Sequence, residues 1–180
     1  IVDIDGDGAY DVVFTGSVQN ASQTDRFKGV GLWAVHADAG RLAGWEEPFH
    51  APDYVAGLWD PGDNLVGITN QVTIADIDAT KPGLEMVFVG FDACIYAVAA
   101  DRTALWEVGY ATSDDVFSAG VAVADLSGDG IPEIVFNTYS TTEGKGALIV
   151  LDAGGKELIR EPLPRRGSMA VPTLGDVDGD

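Results

Sequence analysis

An acidic loop of one kind recurs along the chain, and its side chains are of the types that hold a metal ion. Oxygen-bearing residues alternate through the loop, a glycine follows them, and a further carboxylate closes it. Complete copies occupy residues 3–11, 76–85 and 125–133, and a fourth copy begins at residue 176. Alternating oxygen ligands around a sharp, flexible turn suit Ca2+ better than Mg2+. The spacing therefore predicts calcium sites.

The first and third loops (residues 3–11 and 125–133) match this pattern best. We expect Gly8 and Gly130 to adopt the positive φ angle that the tight turn requires. The alternative for both loops is an Asp- and Gly-rich turn that holds no metal. The expected ligands are Asp3, Asp5, Asp7, the Ala9 carbonyl and Asp11 in the first loop, and Asp125, Ser127, Asp129, the Ile131 carbonyl and Glu133 in the third.

The second and fourth loops depart from the pattern. In the second loop (residues 76–85), Lys81 stands where a glycine is expected, and Gly83 could restore the turn. Whether this loop binds a metal stays open. The fourth loop (residues 176–180) lacks a closing carboxylate, so an ion there would be incompletely enclosed. The expected ligands are Asp76, Asp78, Thr80 and Glu85 in the second loop, and Asp176, Asp178 and Asp180 in the fourth.

The charge balance argues against several classes of partner. The chain has 29 acidic and 10 basic residues and a net charge of −19, whereas nucleic-acid binding requires clustered Lys and Arg. An anionic membrane surface would repel the chain for the same reason. The longest apolar run, residues 94–100, is too short to cross a bilayer. We therefore expect no nucleic-acid partner and no membrane insertion, and we expect Cys94 to be a buried structural thiol.

Other metal motifs and catalytic motifs fit the chain poorly. An EF-hand needs a glutamate at loop position twelve and helices on both sides, but Phe14, Val87 and Phe136 hold that position. The two histidines, His36 and His50, have no neighbouring cluster with zinc-ligand spacing. We expect His36 on a strand surface. We assign no catalytic residue.

Short apolar runs flank the loops and predict strands. Runs rich in Val, Ile and Phe and bounded by Gly, Asp and Pro are typical of buried strands. They occupy residues 11–14, 72–76, 85–89, 121–125 and 133–136. Downstream of each loop, an aligned segment predicts two strands around a polar turn. These segments are residues 34–42, 97–105 and 150–158. Each copy therefore predicts four strands, with the acidic loop between the first and the second.

The copies recur at the length of a β-propeller blade. Successive first ligands from the second loop onward are 49 and 51 residues apart, and insertions around residues 19–28 and 48–70 lengthen the first interval. A unit of about 50 residues with four strands has the size of a blade. We therefore predict an all-β β-propeller of four-stranded antiparallel blades, with about three blades present. The predicted units are residues 1–71, 72–120, 121–170 and the start of another at 171–180.

Loops and hairpins together resemble the FG-GAP repeat of integrin alpha chains, also called the VCBS repeat. That family's loop is Asp-x-Asp-x-Asp-Gly-x-x-Asp/Glu. Residues 3–11 match it fully, residues 125–133 match it with Ser127 at the second ligand, and residues 76–85 depart from it. The resemblance covers essentially the whole chain. It implies a calcium-binding β-propeller with structural Ca2+ at two or more sites, in an extracellular, cell-surface or periplasmic location.

Two classes of function follow. The first, implied by the resemblance to integrins, is a non-enzymatic secreted or cell-surface module for binding or adhesion to proteins or glycans. The second is the propeller portion of a polysaccharide-active enzyme similar to calcium-containing rhamnogalacturonan lyases. The acidic pairs are already assigned to metal, which favours the first class. The insertion at residues 53–60 is the better candidate for a partner surface, and the alternative is that Tyr54 and Trp59 pack this insertion onto its own blade. We also expect further blades of the same protein or self-association, because three blades are too few to close a ring.

Overall fold

The fold is built from strands and turns. The computed structural model describes residues 2–20, 23–50, 71–90, 93–112 and 115–176. Across these residues the chain contains no helix, and all strands pair antiparallel in several separate sheets. The expected all-β class is therefore confirmed. The described part also contains no helix long and apolar enough to cross a membrane.

Thirteen strands are described, most of them short. In chain order they are β1 Asp11–Asn20, β2 Gln23–His36, β3 Phe49–His50, β4 Thr73–Ala75, β5 Glu85–Val89, β6 Cys94–Val98, β7 Ala104–Gly109, β8 Val116–Phe117, β9 Ala122–Ala124, β10 Glu133–Asn137, β11 Tyr139–Ser140, β12 Ala147–Leu151 and β13 Glu157–Pro162.

Two of the sheets share one arrangement. Sheet 2 has the order β4-β5-β6-β7, and sheet 3 has the order β9-β10-β12-β13. In each sheet the acidic loop joins the first strand to the second, and a tight turn joins the third to the fourth. Both features agree with the strands expected around residues 72–105 and 121–158. The boundaries of the predicted repeat units stay predictions.

Sheet 1 differs from the other two. It has the order β1-β2-β3, and Val2 forms only a single bridge to Asp11 on the outer side of β1. The expected insertion around residues 19–28 lengthens the β1–β2 hairpin, whose register shifts near Gln19. The strand expected near Leu42 is reduced to one bridge between Val35 and Arg41. The short β3 then pairs with β2 further along.

A small two-stranded sheet was not expected from the sequence. It pairs β8 with β11 through Tyr139–Phe117 and Ser140–Val116. The backbone amide of Thr141 extends it by donating to the Asp115 carbonyl over 3.0 Å. Each strand has only two residues, which is too short for an alternation of apolar and polar side chains to predict the sheet.

Two apolar clusters join the three large sheets, and sheet 2 contributes to both. Met86 and Phe88 of β5 pack in the cluster shared with sheet 1. The intervening Val87 and Val89 pack in the cluster shared with sheet 3. Successive side chains of a strand point to opposite faces, so a sheet covered on both faces needs an unbroken apolar strand. This explains why all five residues of β5 are buried.

Two tryptophans connect each sheet to the next one along the chain. The indole Nε1 of Trp45 donates to the Ala100 carbonyl in the β6–β7 turn over 2.8 Å. Trp106 of β7 donates in the same way to the Ala153 carbonyl in the β12–β13 turn over 2.9 Å. Ala100 and Ala153 occupy the same position in the aligned hairpins. Each tryptophan therefore links its own sheet to the turn between the last two strands of the next sheet.

The first strands of sheets 2 and 3, β4 and β9, lie side by side. The amide of Gln71 donates to the Ala119 carbonyl over 2.8 Å. A Cβ atom on Gly120 would lie 2.8 Å from the Cβ of Gln71 and 3.0 Å from a methyl group of Val171. Gln71, Gly120 and Val171 each lie five residues before the first aspartate of a loop. Equivalent positions of three successive copies thus meet at one place.

We predict that Trp45→Phe destabilises the fold more than Trp106→Phe does. Trp45 is buried, so its loss leaves the Ala100 carbonyl without a donor in a dry setting, at a cost of about 1–3 kcal/mol. Trp106 and Ala153 are half-buried, and water can replace that donor. Urea unfolding of both variants at fixed calcium measures the difference. An equal or larger loss for Trp106→Phe would contradict the described contact.

Candidate metal centres

The first loop (residues 3–11) is organised around its first aspartate. The carboxylate of Asp3 accepts hydrogen bonds from the amides of Gly6 and Gly8, over 2.7 and 2.9 Å. The backbone turns sharply at both glycines, which have φ angles of 80° and 89°. Such angles are disfavoured for residues with a Cβ atom. The positive φ expected at Gly8 is confirmed.

The third loop (residues 125–133) repeats this geometry. The carboxylate of Asp125 accepts from the amides of Gly128 and Gly130, over 2.7 and 2.9 Å. The φ angle at Gly130 is 87°, as expected, and that at Gly128 is 77°. The Gly130 amide is the largest cause that holds the pKa of the Asp125 carboxyl below its ordinary value. The lowered pKa favours the ionised form, which metal ligation requires.

The closing carboxylates have a role that the sequence did not reveal. Asp11 accepts a hydrogen bond from the amide of Ile4 over 2.9 Å. Glu85 accepts from the amides of Ile77 and Asp78, over 2.9 and 3.1 Å. Glu133 does the same for the amides of residues 126 and 127, over 2.7 and 3.2 Å. All three carboxylates are buried. Each one therefore fastens the start of its loop to the strand that follows.

Carboxylates gather most closely in the first loop. One oxygen each from Asp3, Asp5 and Asp11 lie within 4.8 Å of one another. In the part of the chain that the structure describes, no other three acidic, histidine or cysteine groups meet at this distance. Asp7 lies outside the cluster, and its Oδ1 accepts from the Ala9 amide over 2.7 Å. The third loop has Ser127 where the first has Asp5, which removes one carboxylate.

In the third loop, Asp129 makes the contact that Asp7 makes in the first. Its Oδ1 accepts from the amide of Ile131 over 2.8 Å. Each of these aspartates thus holds the amide of the residue that was expected to supply a carbonyl ligand. The carbonyls of Ala9 and Ile131 as ligands stay predictions.

The second loop (residues 76–85) is held together differently. Thr80 donates from its hydroxyl and from its amide to Asp78 Oδ1, over 2.5 and 3.1 Å. The hydroxyl bond is the largest cause that lowers the pKa of the Asp78 carboxyl, and the nearby Lys81 adds to it. Gly83 restores the turn with a φ of 89°. The backbone amide of the next residue, Leu84, donates to the Ile4 carbonyl over 3.0 Å. The second loop therefore contacts the first.

One buried oxygen in the second loop has no partner. Glu85 is fully buried, and its Oε2 accepts the two loop amides, but no donor among the described residues reaches its Oε1. Burial raises the pKa of the Glu85 carboxyl, and the negative charges of Asp76 and Asp78 contribute in the same direction. A buried carboxylate oxygen without a donor is costly. A cation bound at this oxygen would supply the missing partner, but the carboxylates of the second loop are not gathered as closely as those of the first.

His36 lies closer to the first loop than expected. It stands opposite Asp11 in the β1–β2 pairing, and its Nδ1 lies 3.0 Å from Asp11 Oδ1. The side chain is 24% exposed, so His36 lies on a strand as expected, but it is half-buried and contacts the loop. A hairpin prediction that paired the start of β1 with the end of β2 would have found this contact, because Asp11 begins β1 and His36 ends β2.

Several expected residues contribute less. Asp176 is described, whereas Asp178 and Asp180 and the insertion at residues 53–60 lie outside the described residues. Cys94 is half-buried rather than buried. It begins β6, where the strand leaves a loop, and only the following four residues are fully enclosed.

A cleft runs between the second and third loops. Its volume is about 790 Å3. Its walls carry carboxylates, one ammonium group and apolar side chains, among them Asp129, Asp152, Lys81, Trp106 and Ile131. The cleft therefore opens directly beside two of the candidate metal loops.

Comparisons with known proteins identify no relative. No protein-family model, no curated protein and no solved structure matches this chain.

We predict that Glu133→Ala destabilises the protein in the presence of a chelator, whereas Glu133→Gln has a smaller effect. Alanine removes the acceptor of the amides of Leu126 and Ser127, at a cost of about 1–3 kcal/mol. The amide oxygen of glutamine can still accept them. Urea unfolding without metal isolates this role from any ligation. Equal losses for both variants would contradict it.

Proposed function

We propose that this chain is a segment of a calcium-stabilised β-propeller that serves as a non-enzymatic extracellular or cell-surface module for binding proteins or glycans. The ions are structural. They neutralise the clustered carboxylates of the loops and fasten the first strand of a sheet to the second. The FG-GAP resemblance of the three loop sequences motivates the family assignment, which is part of the proposal.

The unpaired Oε1 of Glu85 is the observation that carries the calcium proposal. This atom is buried and has no hydrogen-bond donor among the described residues, and the charges of Asp76 and Asp78 act on its carboxyl group. The oxygen cluster of Asp3, Asp5 and Asp11 supports a second ion in the first loop. In both places the ligands are oxygens alone, which are the ligands that Ca2+ takes. Thr80 and Lys81 leave the second loop with fewer carboxylates, so we propose a weaker ion there than in the first.

The sheet arrangement supports a propeller. Two sheets have the same four-stranded order, and successive sheets pack face to face through the two apolar clusters. Gln71, Gly120 and Val171 meet at equivalent positions, as the inner strands of blades arranged around one axis would. Propeller blades are four-stranded sheets repeated radially in this way.

The cleft between the second and third loops supports a binding role. Its volume of about 790 Å3 falls within the roughly 300–1,000 Å3 of ligand sites. The indole of Trp106 and the carboxylates of Asp129 and Asp152 on its walls are suited to contact with polar ligands such as sugars or peptides.

We predict that Ca2+ raises the melting temperature of the wild-type chain and that Glu85→Gln reduces this gain. Ion binding to the folded state alone stabilises it by linkage. In chelator, Glu85→Gln should be at least as stable as the wild type, because an amide avoids the cost of a buried, unpartnered charge. Thermal melting with Ca2+ and with chelator measures both effects.

The matched control is Glu107→Gln on β7, whose side chain is exposed. This variant should melt like the wild type under both conditions. If the melting temperature of the wild type is the same with Ca2+ and with chelator, the proposal of structural calcium ions is refuted. A calcium gain that is equal in the wild type and Glu85→Gln would refute the role of Glu85 alone.

We further predict that the calcium-loaded protein binds immobilised extracellular proteins or glycans and leaves polysaccharides intact. Binding is measured on protein and glycan arrays, with chelator as the control, because a loosened scaffold should lose the contact. Chain cleavage is followed by new reducing ends. If the folded protein binds no ligand on the arrays, the binding role is contradicted. Depolymerisation would favour the polysaccharide-active alternative.

A further inference from the structure

We propose that the cleft between the second and third loops binds a cationic side chain of a partner protein, a lysine or an arginine. The ammonium or guanidinium group lies among the carboxylates of the cleft and against the indole of Trp106. This inference rests on the proposed binding role and deepens it, because it names the chemistry of the ligand. The ligand is a basic segment of a protein and not a glycan.

The first and second loops are closed onto each other, and no such cleft lies at their contact. The amide of Leu84, just before the closing carboxylate of the second loop, donates to the Ile4 carbonyl over 3.0 Å. A Cβ atom on the preceding Gly83 would clash with the same carbonyl and would lie 2.8 Å from the Cβ of Ala100. The second loop therefore packs directly on the first loop and on the β6–β7 turn.

The third loop cannot close on the second in the same way. Its residue just before the closing carboxylate is Pro132, which has no amide hydrogen to donate. The Ile77 carbonyl, which is equivalent to that of Ile4, therefore lacks this partner. Ile131 takes the place of the preceding glycine, and its side chain is 54% exposed. Ile77 and Ile131 both line the cleft, so the residues of the third loop are what keep it open.

The walls of the cleft are acidic. They carry the carboxylates of Asp78, Asp129, Glu133 and Asp152 and a single ammonium group, that of Lys81. The negative charge persists when ions are bound. The second and third loops contain three carboxylates each, so one Ca2+ leaves each loop with a charge of −1. Asp152 adds a negative charge and Lys81 a positive one, so the surroundings of the cleft keep a net charge of −2.

Three of these carboxylates each have an oxygen available to a ligand. Oδ1 of Asp78, Asp129 and Asp152 accepts hydrogen bonds from residues of its own loop or turn. Within the described residues, no hydrogen bond reaches Oδ2 of any of the three. The cleft thus presents acceptors, and an ammonium or guanidinium group supplies several donors together with a positive charge.

Trp106 adds an aromatic surface at a fixed position. Its Nε1 is used in the hydrogen bond to the Ala153 carbonyl. A Cβ atom on Gly155 would lie 3.0 and 3.1 Å from Cδ2 and Cε3 of the indole, so the backbone of Gly155 packs against the ring. The ring is half-buried and lines the cleft. A cation is attracted to the face of an indole more strongly than to other aromatic rings, so the indole and the carboxylates favour the same ligand.

The charge of the cleft favours a basic peptide over a glycan. A neutral sugar also stacks on an indole, but it gains nothing from the net negative charge. An acidic glycan is repelled by that charge. A lysine or arginine side chain matches the carboxylates with its charged end, and its apolar stem can contact Ile131. The cleft therefore fits a basic segment of a protein partner.

A labelled short peptide of alternating arginine and glycine tests this assignment. The same peptide with citrulline in place of arginine is the neutral probe, since citrulline keeps the shape of arginine and lacks its charge. We expect the arginine peptide to bind the calcium-loaded wild type and to lose affinity about 5-fold or more in Asp152→Asn. The side-chain oxygen of asparagine can still accept the turn amides. Trp106→Leu should weaken binding by a similar factor, about 5-fold. Fluorescence anisotropy at fixed calcium and physiological ionic strength gives the affinities.

Glu161→Gln on β13 is the matched control, since it removes one negative charge at an exposed position outside the cleft. It should bind the arginine peptide like the wild type. Thermal melting checks that the variants fold, and Asp152→Asn carries the test if Trp106→Leu does not. Equal binding of the arginine and citrulline peptides would overturn the proposal. So would an equal loss in Asp152→Asn and Glu161→Gln, because the attraction would then come from the charge of the whole chain.

Further outcomes separate this inference from the proposed binding role. Cellohexaose is the neutral oligosaccharide probe. If Trp106→Leu abolishes binding of cellohexaose and the arginine peptide does not bind, the basic ligand is overturned while the binding role stands. If the arrays find a ligand whose binding neither Asp152→Asn nor Trp106→Leu changes, the assignment of the cleft is overturned and the binding role again stands.

Discussion

In each complete loop, a buried carboxylate accepts the amides at the loop's start. Asp11, Glu85 and Glu133 make this contact, and the rest of the arrangement depends on it. The residue whose amide is held carries an apolar side chain. In the first two loops that side chain, Ile4 or Ile77, enters the core between two sheets. A polar contact thus fixes the position of an apolar one, and the loop, the strand after it and the adjacent sheet are set together.

The same contact concentrates negative charge. It uses one oxygen of the closing carboxylate, and in the first loop Asp11 also lies with Asp3 and Asp5 in a cluster of carboxylates. In the first loop His36 lies beside the second oxygen of Asp11, and in the second loop that oxygen of Glu85 has no donor. Repulsion among such groups costs several kcal/mol when they are partly buried. The loops thus share the hydrogen bond to a closing carboxylate and differ in what balances their charge.

Much of sheets 2 and 3 could be predicted from the sequence, because strands such as β5 and β10 are apolar runs ended by Gly, Asp or Pro. The φ angles at Gly8 and Gly130 also followed from the loop pattern. The small β8–β11 sheet could not be predicted, since each of its strands has only two residues. The contact of His36 with Asp11 depends on the register of a long hairpin with a shift in it. The hydrogen bonds from backbone amides to the closing carboxylates were not predicted. Metal ligation already accounted for the carboxylates in the sequence pattern, so nothing in the pattern called for a second role.

The two tryptophan contacts have a consequence for how the chain folds during synthesis. Trp45 finds its acceptor 55 residues later, and Trp106 finds its acceptor 47 residues later. A newly synthesised sheet therefore cannot form its tryptophan hydrogen bond until the next sheet has also been synthesised. Contacts over such distances in sequence slow folding, and uncovered apolar faces are prone to aggregation. The packing of each sheet is therefore complete only after the next sheet has been synthesised and has folded.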